Sequence, residues 1–323
     1  MERSPKMLWL LPALGVAVVA LACGGGGGGD GEETVAASST QVAQALLVFG
    51  ASLDAAFTAV EAGSDVVFTS SVRASAMGAG MMGGGAAVTA MGIGPGHLDL
   101  DPKSCEGSGS ADALMEWADA DPDTECLEGL TIALDFAQCA PTPTQTMDGR
   151  MEMSFTGSTC EPSSVAMDFS DVAVTIPEGT VSGDFTMTMT GMTFAGDPAD
   201  FDITAATITF DGRMQMEKVG SDFGTVDMDM DRFAFHEDDA TGDLNGTLTV
   251  RCSGRAFPMT FTTDPNGLTL DAAGDVVGGQ VIVTSEGTTH QVTFNADESI
   301  DVTSAGGAPV HLAEPVAEDF CAL

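Results

Sequence analysis

Apolar side chains recur at every second residue through much of the chain from Gly129 onward. In the segment Val181–Met189 the even positions are Ser, Asp or Thr, and the apolar residues are Val181, Phe185, Met187 and Met189. This period of two is typical of a β-strand with one buried face. Similar segments, separated by turn signals, predict about ten to thirteen antiparallel strands.

This number of strands predicts a mainly β fold. A sheet that has so many strands and one apolar face is not stable as a flat open sheet in water. We therefore expect an antiparallel meander of about ten or more strands, curled into a barrel, a half-barrel or a sandwich.

Two glycines interrupt the alternation. At Gly191 the apolar residues move to even positions, Met192 and Phe194, which predicts a β-bulge. Within Thr207–Glu217 the Asp-Gly pair at 211–212 is typical of a hairpin turn. A single strand, however, keeps four apolar residues on one side, and we predict one strand through Ile208, Phe210, Met214 and Met216.

The strand region is weakly repetitive. DGRMEMSFTG at Asp148–Gly157 resembles DGRMQMEKVG at Asp211–Gly220, and three further segments are similar to one another, LDFAQC, MDFSDV and MDMDRF. We interpret these repeats as recurring units of the meander.

The segment 34–62 has a different period. Its apolar residues follow at steps of three and four, at Val42, Leu46, Phe49, Leu53, Phe57 and Val60. This spacing predicts an amphipathic helix. After Gly63 the segment 63–100 is rich in Gly, Ala and Met, and we expect a loop. A second, shorter helix is predicted over Asp112–Ala118, with Ser110 as its cap.

The N-terminal 22 residues have the pattern of an export signal. Arg3 and Lys6 precede the apolar run Met7–Ala22, which is shorter than the roughly 20 residues that a membrane span needs. The run ends in Ala20-Leu21-Ala22-Cys23, which resembles the lipobox of bacterial lipoproteins. The resemblance implies cleavage before Cys23, attachment of acyl chains such as palmitate to that residue, and anchoring in a membrane.

A flexible tether follows Cys23. Residues 24–29 are all glycine, and the segment 23–33 continues with acidic residues; glycine-rich chain behaves as a flexible coil. In the lipoprotein class an aspartate after the cysteine signals retention in the inner membrane. Because Gly24 occupies this position, the resemblance implies the outer membrane, with the periplasmic or the outer face left open. Residues 101–323 are expected to form the β domain.

Six cysteines remain after Cys23. An even number in an exported chain predicts a disulfide framework, since that compartment oxidises thiols. We expect three disulfides and predict Cys252 with Cys321, while consecutive pairing and a crossed arrangement such as Cys126 with Cys160 both remain open for the others. The six are Cys105, Cys126, Cys139, Cys160, Cys252 and Cys321.

The chain is strongly acidic. Its formal net charge is −38, and removal of residues 1–22 leaves 8 basic and 47 acidic side chains, because Arg3, Lys6 and Glu2 are lost. This charge repels nucleic acid and excludes nucleic-acid binding as a function.

Few residues indicate a catalytic or metal-binding site. Asp119, Asp121 and Asp123 alternate as the first ligands of an EF-hand loop do, which makes them a weak calcium candidate. No other cofactor is indicated. The four histidines, His97, His236, His290 and His311, are scattered and are expected to be exposed, and no GxSxG nucleophile motif is present.

These features favour a non-enzymatic binding or structural module of the cell envelope. In the leading version the N-terminal helix packs on the apolar face of a curved sheet; an open face would hold an apolar ligand, and a filled one would make the protein a scaffold. Partners are then the membrane, through the anchor, and an apolar ligand or an envelope protein. The alternatives are a hydrolase of envelope polymers that uses carboxylates, and a calcium-binding surface protein.

Overall fold

The structure is a computed structural model. It describes residues 32–49, 95–105, 107–120, 126–142, 144–176, 179–197, 200–217, 225–238, 240–271, 276–297, 299–313 and 320.

The described chain is mainly β, which confirms the predicted fold class. It contains one helix, α1, over residues 39–49, and seventeen strands. These are β1 Glu33–Thr34, β2 Gly96–Ser104, β3 Ser110–Trp117, β4 Asp119–Ala120, β5 Leu127–Glu128, β6 Thr131–Thr142, β7 Gln145–Ser158, β8 Glu161–Ile176, β9 Gly179–Asp197, β10 Asp200–Glu217, β11 Thr225–Asp238, β12 Thr241–Cys252, β13 Arg255–Leu270, β14 Val276–Ser285, β15 Thr288–Phe294, β16 Ile300–Ser304 and β17 Val310–Leu312.

The chain divides into two compact units. Unit 1 comprises residues 1–56, 176–182 and 209–323, and unit 2 comprises residues 57–175 and 183–208. In unit 1 each strand from β11 to β17 pairs antiparallel with the next strand in the sequence. In unit 2 the strand pairs β2–β3, β3–β6, β6–β7 and β7–β8 are also antiparallel. The predicted antiparallel meander is therefore confirmed.

The helix α1 begins later than the sequence pattern indicates. Residues 33–34 form β1, which pairs parallel with Arg255 and Ala256 of β13. The helix starts after Ser38, whose backbone N–H donates to Gln41 Oε1 at 2.9 Å while the Gln41 N–H donates to Ser38 Oγ at 3.2 Å. This reciprocal pair is a capping box, and it fixes the start of the helix. The predicted continuation over residues 50–62 lies outside the described residues.

The short helix predicted over Asp112–Ala118 is wrong, because this segment is the strand β3. Its buried side chains alternate, at Ala111, Ala113, Met115 and Trp117, and it pairs with β2 and β6. A short apolar segment can form either a helix or a strand. Here the pairing with two neighbouring strands determines that the segment is a strand. The strand β2 also begins at Gly96, inside the segment predicted to be a loop; most of that segment lies outside the described residues.

The two long strands with internal glycines have the predicted form. The strand β10 runs without a turn through Asp211-Gly212, and Ile208, Phe210 and Met214 are all buried. The strand β9 runs through Gly191, where φ is +64°. A glycine in this left-handed region is compatible with a β-bulge, and the bulge at Gly191 stays a prediction.

The repeated segments mark bulges in β6, β8 and β11. In each strand the step between successive buried side chains is three residues, and the residue before the second of them has a positive φ. The buried pairs are Phe136 and Cys139, Phe169 and Val172, and Met230 and Phe233; the residues with positive φ are Gln138 (+48°), Asp171 (+50°) and Arg232 (+47°). The extra residue in each strand returns the next side chain to the buried face.

Aspartates on neighbouring strands bind the bulged backbone. Each accepts a hydrogen bond from the N–H group of one bulged residue: Asp148 from Gln138 at 3.4 Å, Asp184 from Asp171 at 2.6 Å, and Asp211 from Arg232 at 2.7 Å. Asp148 and Asp211 are the first residues of the two DGRM repeats. The repeats therefore satisfy backbone donors that the bulges remove from the strand ladder.

Glycines pack against the other side of two bulges. Gly149 has φ of +103° and lies against the Asp171 backbone, while Gly246 has φ of +117° and lies against the Arg232 backbone. A Cβ atom at either glycine would overlap the carbonyl oxygen of the bulged residue. Glycine is therefore required at both positions.

Two disulfides lie in unit 2. Cys105 pairs with Cys139, and Cys126 pairs with Cys160. The crossed arrangement is therefore the correct one of the two alternatives. Cys252 is also disulfide-bonded, to a partner outside the described residues; Cys321 lies outside them too, so the pairing of these two stays a prediction.

Candidate functional site

The apolar face of unit 1 is the candidate site, since the leading hypothesis gives this face to a helix or a ligand. Alternate residues of β11 to β16 point to one side and are buried. This apolar face includes Met228, Met230, Phe233, Leu248, Val250, Phe257, Met259, Phe261, Val281, Val283, Val292, Ile300 and Val302. Burial of this area is the main source of stability for the unit.

The helix α1 packs on this face with its aromatic end. The ring of Phe49 meets the ring of Phe233 edge-on at 5.0 Å between centroids, and it meets Phe210 edge-on at 5.5 Å. Phe233 in turn contacts Phe261 at 5.2 Å. Edge-to-face pairs of this kind add to the free energy gained by burial. Phe49 is thus part of the core of unit 1.

The helix is buried around nearly its whole circumference. Of residues 41–49 only Val48 is half-buried, and the others are buried. A one-sided amphipathic stripe was predicted, and a helix that is buried all round is a core element instead. The side-chain amide of the buried residue Gln41 is hydrogen-bonded: Nε2 donates to the backbone oxygen of Phe320 at 2.7 Å.

The segment before the helix is also bound. The Glu33 N–H donates to the Gly254 oxygen at 3.1 Å, and the Val35 N–H donates to the Ala256 oxygen at 2.9 Å. Two residues later the Ala37 N–H donates to Ser285 Oγ at 2.9 Å. The chain from β1 through α1 is therefore attached to unit 1 by backbone bonds and by buried side chains.

His290 lies in this buried region, although the sequence analysis expected it to be exposed. It is 1% exposed, and its Nδ1 lies 3.2 Å from Ser39 Oγ. Burial lowers the pKa of the ring, and a backbone hydrogen bond with Ala37 opposes this effect. The signal in the sequence was its position: His290, Val292 and Phe294 alternate on the apolar side of β15.

The other histidines differ from His290. His97 and His311 are exposed, and His236 is half-exposed. His311 Nδ1 lies 2.8 Å from Asp301 Oδ1. His290 is therefore the one buried histidine among the described residues.

The residues predicted to bind calcium are only partly described. Asp119 lies in β4, and its Oδ1 accepts a hydrogen bond from the Ala120 N–H at 2.9 Å. Asp121 and Asp123 lie outside the described residues, as does Cys23. Within the described ranges no group of three or more His, Cys, Asp or Glu side chains is placed to hold a metal ion.

Carboxylates face one another on the outward side of unit 2. Asp112 of β3 is opposite Asp135 of β6. Partial burial raises the pKa of Asp112, and the charges of Asp135 and Asp99 raise it further, while Arg150 opposes them. Arg150 donates to Asp135 at 2.9 Å and to Glu152 at 3.0 Å. The arginine thus offsets part of the repulsion between neighbouring carboxylates.

Comparison of the chain with protein-family models, curated proteins and solved structures found no match. Among the described residues, no helix has the length and hydropathy needed to cross a membrane.

Proposed function

We propose that the protein is an exported cell-envelope lipoprotein, anchored through Cys23, whose folded part is a non-enzymatic structural module. The observation that carries the proposal is the position of the segment that follows the tether. Residues 33–49 form β1 and α1 and are attached to unit 1 by backbone bonds and buried side chains. Two disulfides among the described residues agree with an oxidising compartment.

The attachment gives the tether a mechanical role. The glycines 24–29 supply slack between the membrane and the domain. The chain then enters unit 1 along β13, and Glu32 forms an ion pair with Arg251 of the neighbouring β12 at 3.0 Å. Tension on the anchor would therefore act first on β1 and the helix, which are held by hydrogen bonds, burial and charge together.

The helix also favours the scaffold version over the carrier version. An apolar carrier needs apolar surface that is free for its ligand. In unit 1 two of the aromatic side chains that could line such a site, Phe210 and Phe233, contact Phe49 of the same chain. No observation among the described residues favours the hydrolase or the calcium-binding alternative, and the charge of the chain opposes nucleic-acid partners.

Replacement of Cys23 tests the anchor. Cys23→Ser removes the thiol that would carry the acyl chains, and stable anchoring depends on such chains. We expect the wild type in the membrane fraction of the cells that export it, with a mature N-terminal mass that includes the acyl groups. The Cys23→Ser variant should lose the acyl mass and leave the membrane fraction.

A matched variant at the next residue tests the location. Gly24→Asp keeps the cysteine and changes only the residue after it, so the protein should stay acylated but move from the outer to the inner membrane. A Cys23→Ser variant that remains in the membrane fraction at wild-type level would contradict the proposed anchor.

A further inference from the structure

His290 occupies a position where a positive charge has no compensation. It lies in β15, opposite Val283 of β14 on one side and opposite Ser304 of β16 on the other. Its ring is on the buried side of the strand and is 1% exposed. A charged imidazole at this place would have to be removed from water, which is costly without a partner of opposite charge.

The hydrogen bonds of His290 do not supply such a partner. Nδ1 contacts the hydroxyl of Ser39, the ring also forms a hydrogen bond with the backbone of Ala37, and Nε2 has no hydrogen-bond partner among the described residues. A neutral imidazole has one N–H donor, whereas the charged form has two. Protonation would therefore place a full charge on a buried ring whose Nε2–H has no acceptor and whose other partners, the Ser39 hydroxyl and the Ala37 backbone, are both neutral.

The groups around His290 carry no charge. From the N-terminal segment it faces Ala37 and Ser39, and from the strands it faces Val283 and Ser304. The pKa of His290 is shifted by burial and by the hydrogen bond with the Ala37 backbone, and not by a charged group. Ser39 is also the first residue of α1, and the positive end of a helix dipole disfavours a cation nearby.

We propose that His290 makes the attachment of residues 35–49 to unit 1 dependent on pH, so that protonation of His290 weakens this attachment and raises the fraction of molecules in which the apolar face of unit 1 is exposed. The effect falls on this segment because Ser39 and Ala37 belong to it, whereas the strand neighbours Val283 and Ser304 lie in the continuous antiparallel ladder of β14, β15 and β16. The inference does not depend on the anchor at Cys23.

The direction of the effect follows from linkage. Burial lowers the pKa of His290 below its ordinary value of 6.5 in the attached state, and the released histidine regains the ordinary value. The attached state therefore has its full stability above pH 6.5. It loses stability as the pH falls from 6.5 towards the lowered pKa of His290. Most carboxylates titrate near pH 4, so they stay ionised in a comparison of pH 7.5 with pH 5.5, and substitution of single histidines separates His290 from the other three.

Hydrogen exchange measured by mass spectrometry provides the test. We use the whole protein, purified from the exporting cells in detergent, and correct each amide for its intrinsic exchange rate. Between pH 7.5 and pH 5.5 the protection of residues 35–49 should fall, by at most about tenfold, which is the limit set by one proton over one pH unit. The amides of β12 and β13 should keep their protection.

Two variants make the result specific. His290→Gln keeps a polar side chain that cannot take up a proton, and its protection at residues 35–49 should be equal at the two pH values. His311→Gln removes an exposed histidine and should keep the wild-type pH dependence. Equal pH dependence in the wild type and His290→Gln would overturn the proposal.

A measurement on the wild type covers the case in which His290→Gln does not fold. The ring protons of His290 can be followed by NMR during a pH titration. A midpoint below 6.5, with accompanying shifts in the amides of residues 37–49, supports the proposal. A midpoint at or above 6.5, or a titration that leaves those amides unchanged, overturns it.

Discussion

Gly246→Ala is expected to destabilise the protein by about 3–5 kcal/mol, as the sum of backbone strain and steric overlap. Gly246 has φ of +117°, which an alanine rarely adopts. Its new Cβ would also overlap the carbonyl oxygen of Arg232, a backbone atom that cannot rotate away. Relief of this contact would require β11 and β12 to separate at the bulge. Denaturant unfolding followed by circular dichroism measures the loss.

Gly254→Ala is the matched control. Gly254 also has a positive φ, +74°, but a Cβ at this position would have no atom within 4 Å. The substitution should therefore lower the free energy of unfolding only by the backbone strain, about 1–2 kcal/mol. Equal costs for the two substitutions would mean that the packing of Gly246 against the Arg232 bulge is not needed for the fold.

Phe49→Ala should lower the free energy of unfolding by about 3–5 kcal/mol, the usual range for removal of a buried aromatic ring. Phe49 is 5% exposed, and its removal takes away one edge-on partner from Phe210 and one from Phe233. We also expect the variant to bind a hydrophobic dye that the wild type does not bind, because apolar surface in unit 1 becomes accessible. Chemical denaturation and dye fluorescence check the two effects.

Val48→Ala, on the adjacent residue of the same helix, is the control. Val48 is only half-buried, so the change should cost about 1 kcal/mol and should not induce dye binding. If Phe49→Ala had no larger effect than Val48→Ala, the helix would not be a core element of unit 1.

The alternation of apolar residues was sufficient to predict the class of the fold. It also gave the correct single strand through Asp211-Gly212, because a hairpin there would have placed apolar Phe210 and polar Arg213 on one face. The bulges in β6, β8 and β11 were visible only as repeats. Each bulge corresponds to a three-residue step between successive buried positions, such as Phe136 to Cys139. The sequence alone does not distinguish such a step from a loop.

The errors have local causes. The segment Asp112–Ala118 is short and has apolar residues that fit both periods, and pairing with β2 and β6 is a long-range effect that the local pattern does not contain. The start of α1 could have been read from Ser38 and Gln41, which have the spacing of a capping box.

The candidate site was only partly accessible from the sequence. The stripe with Val42, Leu46 and Phe49 indicated the helix and its packing on an apolar face of the sheet. The hydrogen bonds that hold the helix and the residues before it come from chain that is distant in sequence, such as Phe320, which binds Gln41, and Ser285, which binds Ala37. His290 was missed because it was judged as a histidine rather than as an inward position of its strand.

Native mass spectrometry of the protein, purified without added ligand and released from detergent in the spectrometer, tests the central claim most directly. The claim is that the chain's own helix fills the apolar face of unit 1. The account predicts the mass of the polypeptide with its covalent modifications and no further bound molecule. A lipid or another apolar molecule bound at a fixed ratio would contradict the account, because it would show that the protein is a carrier.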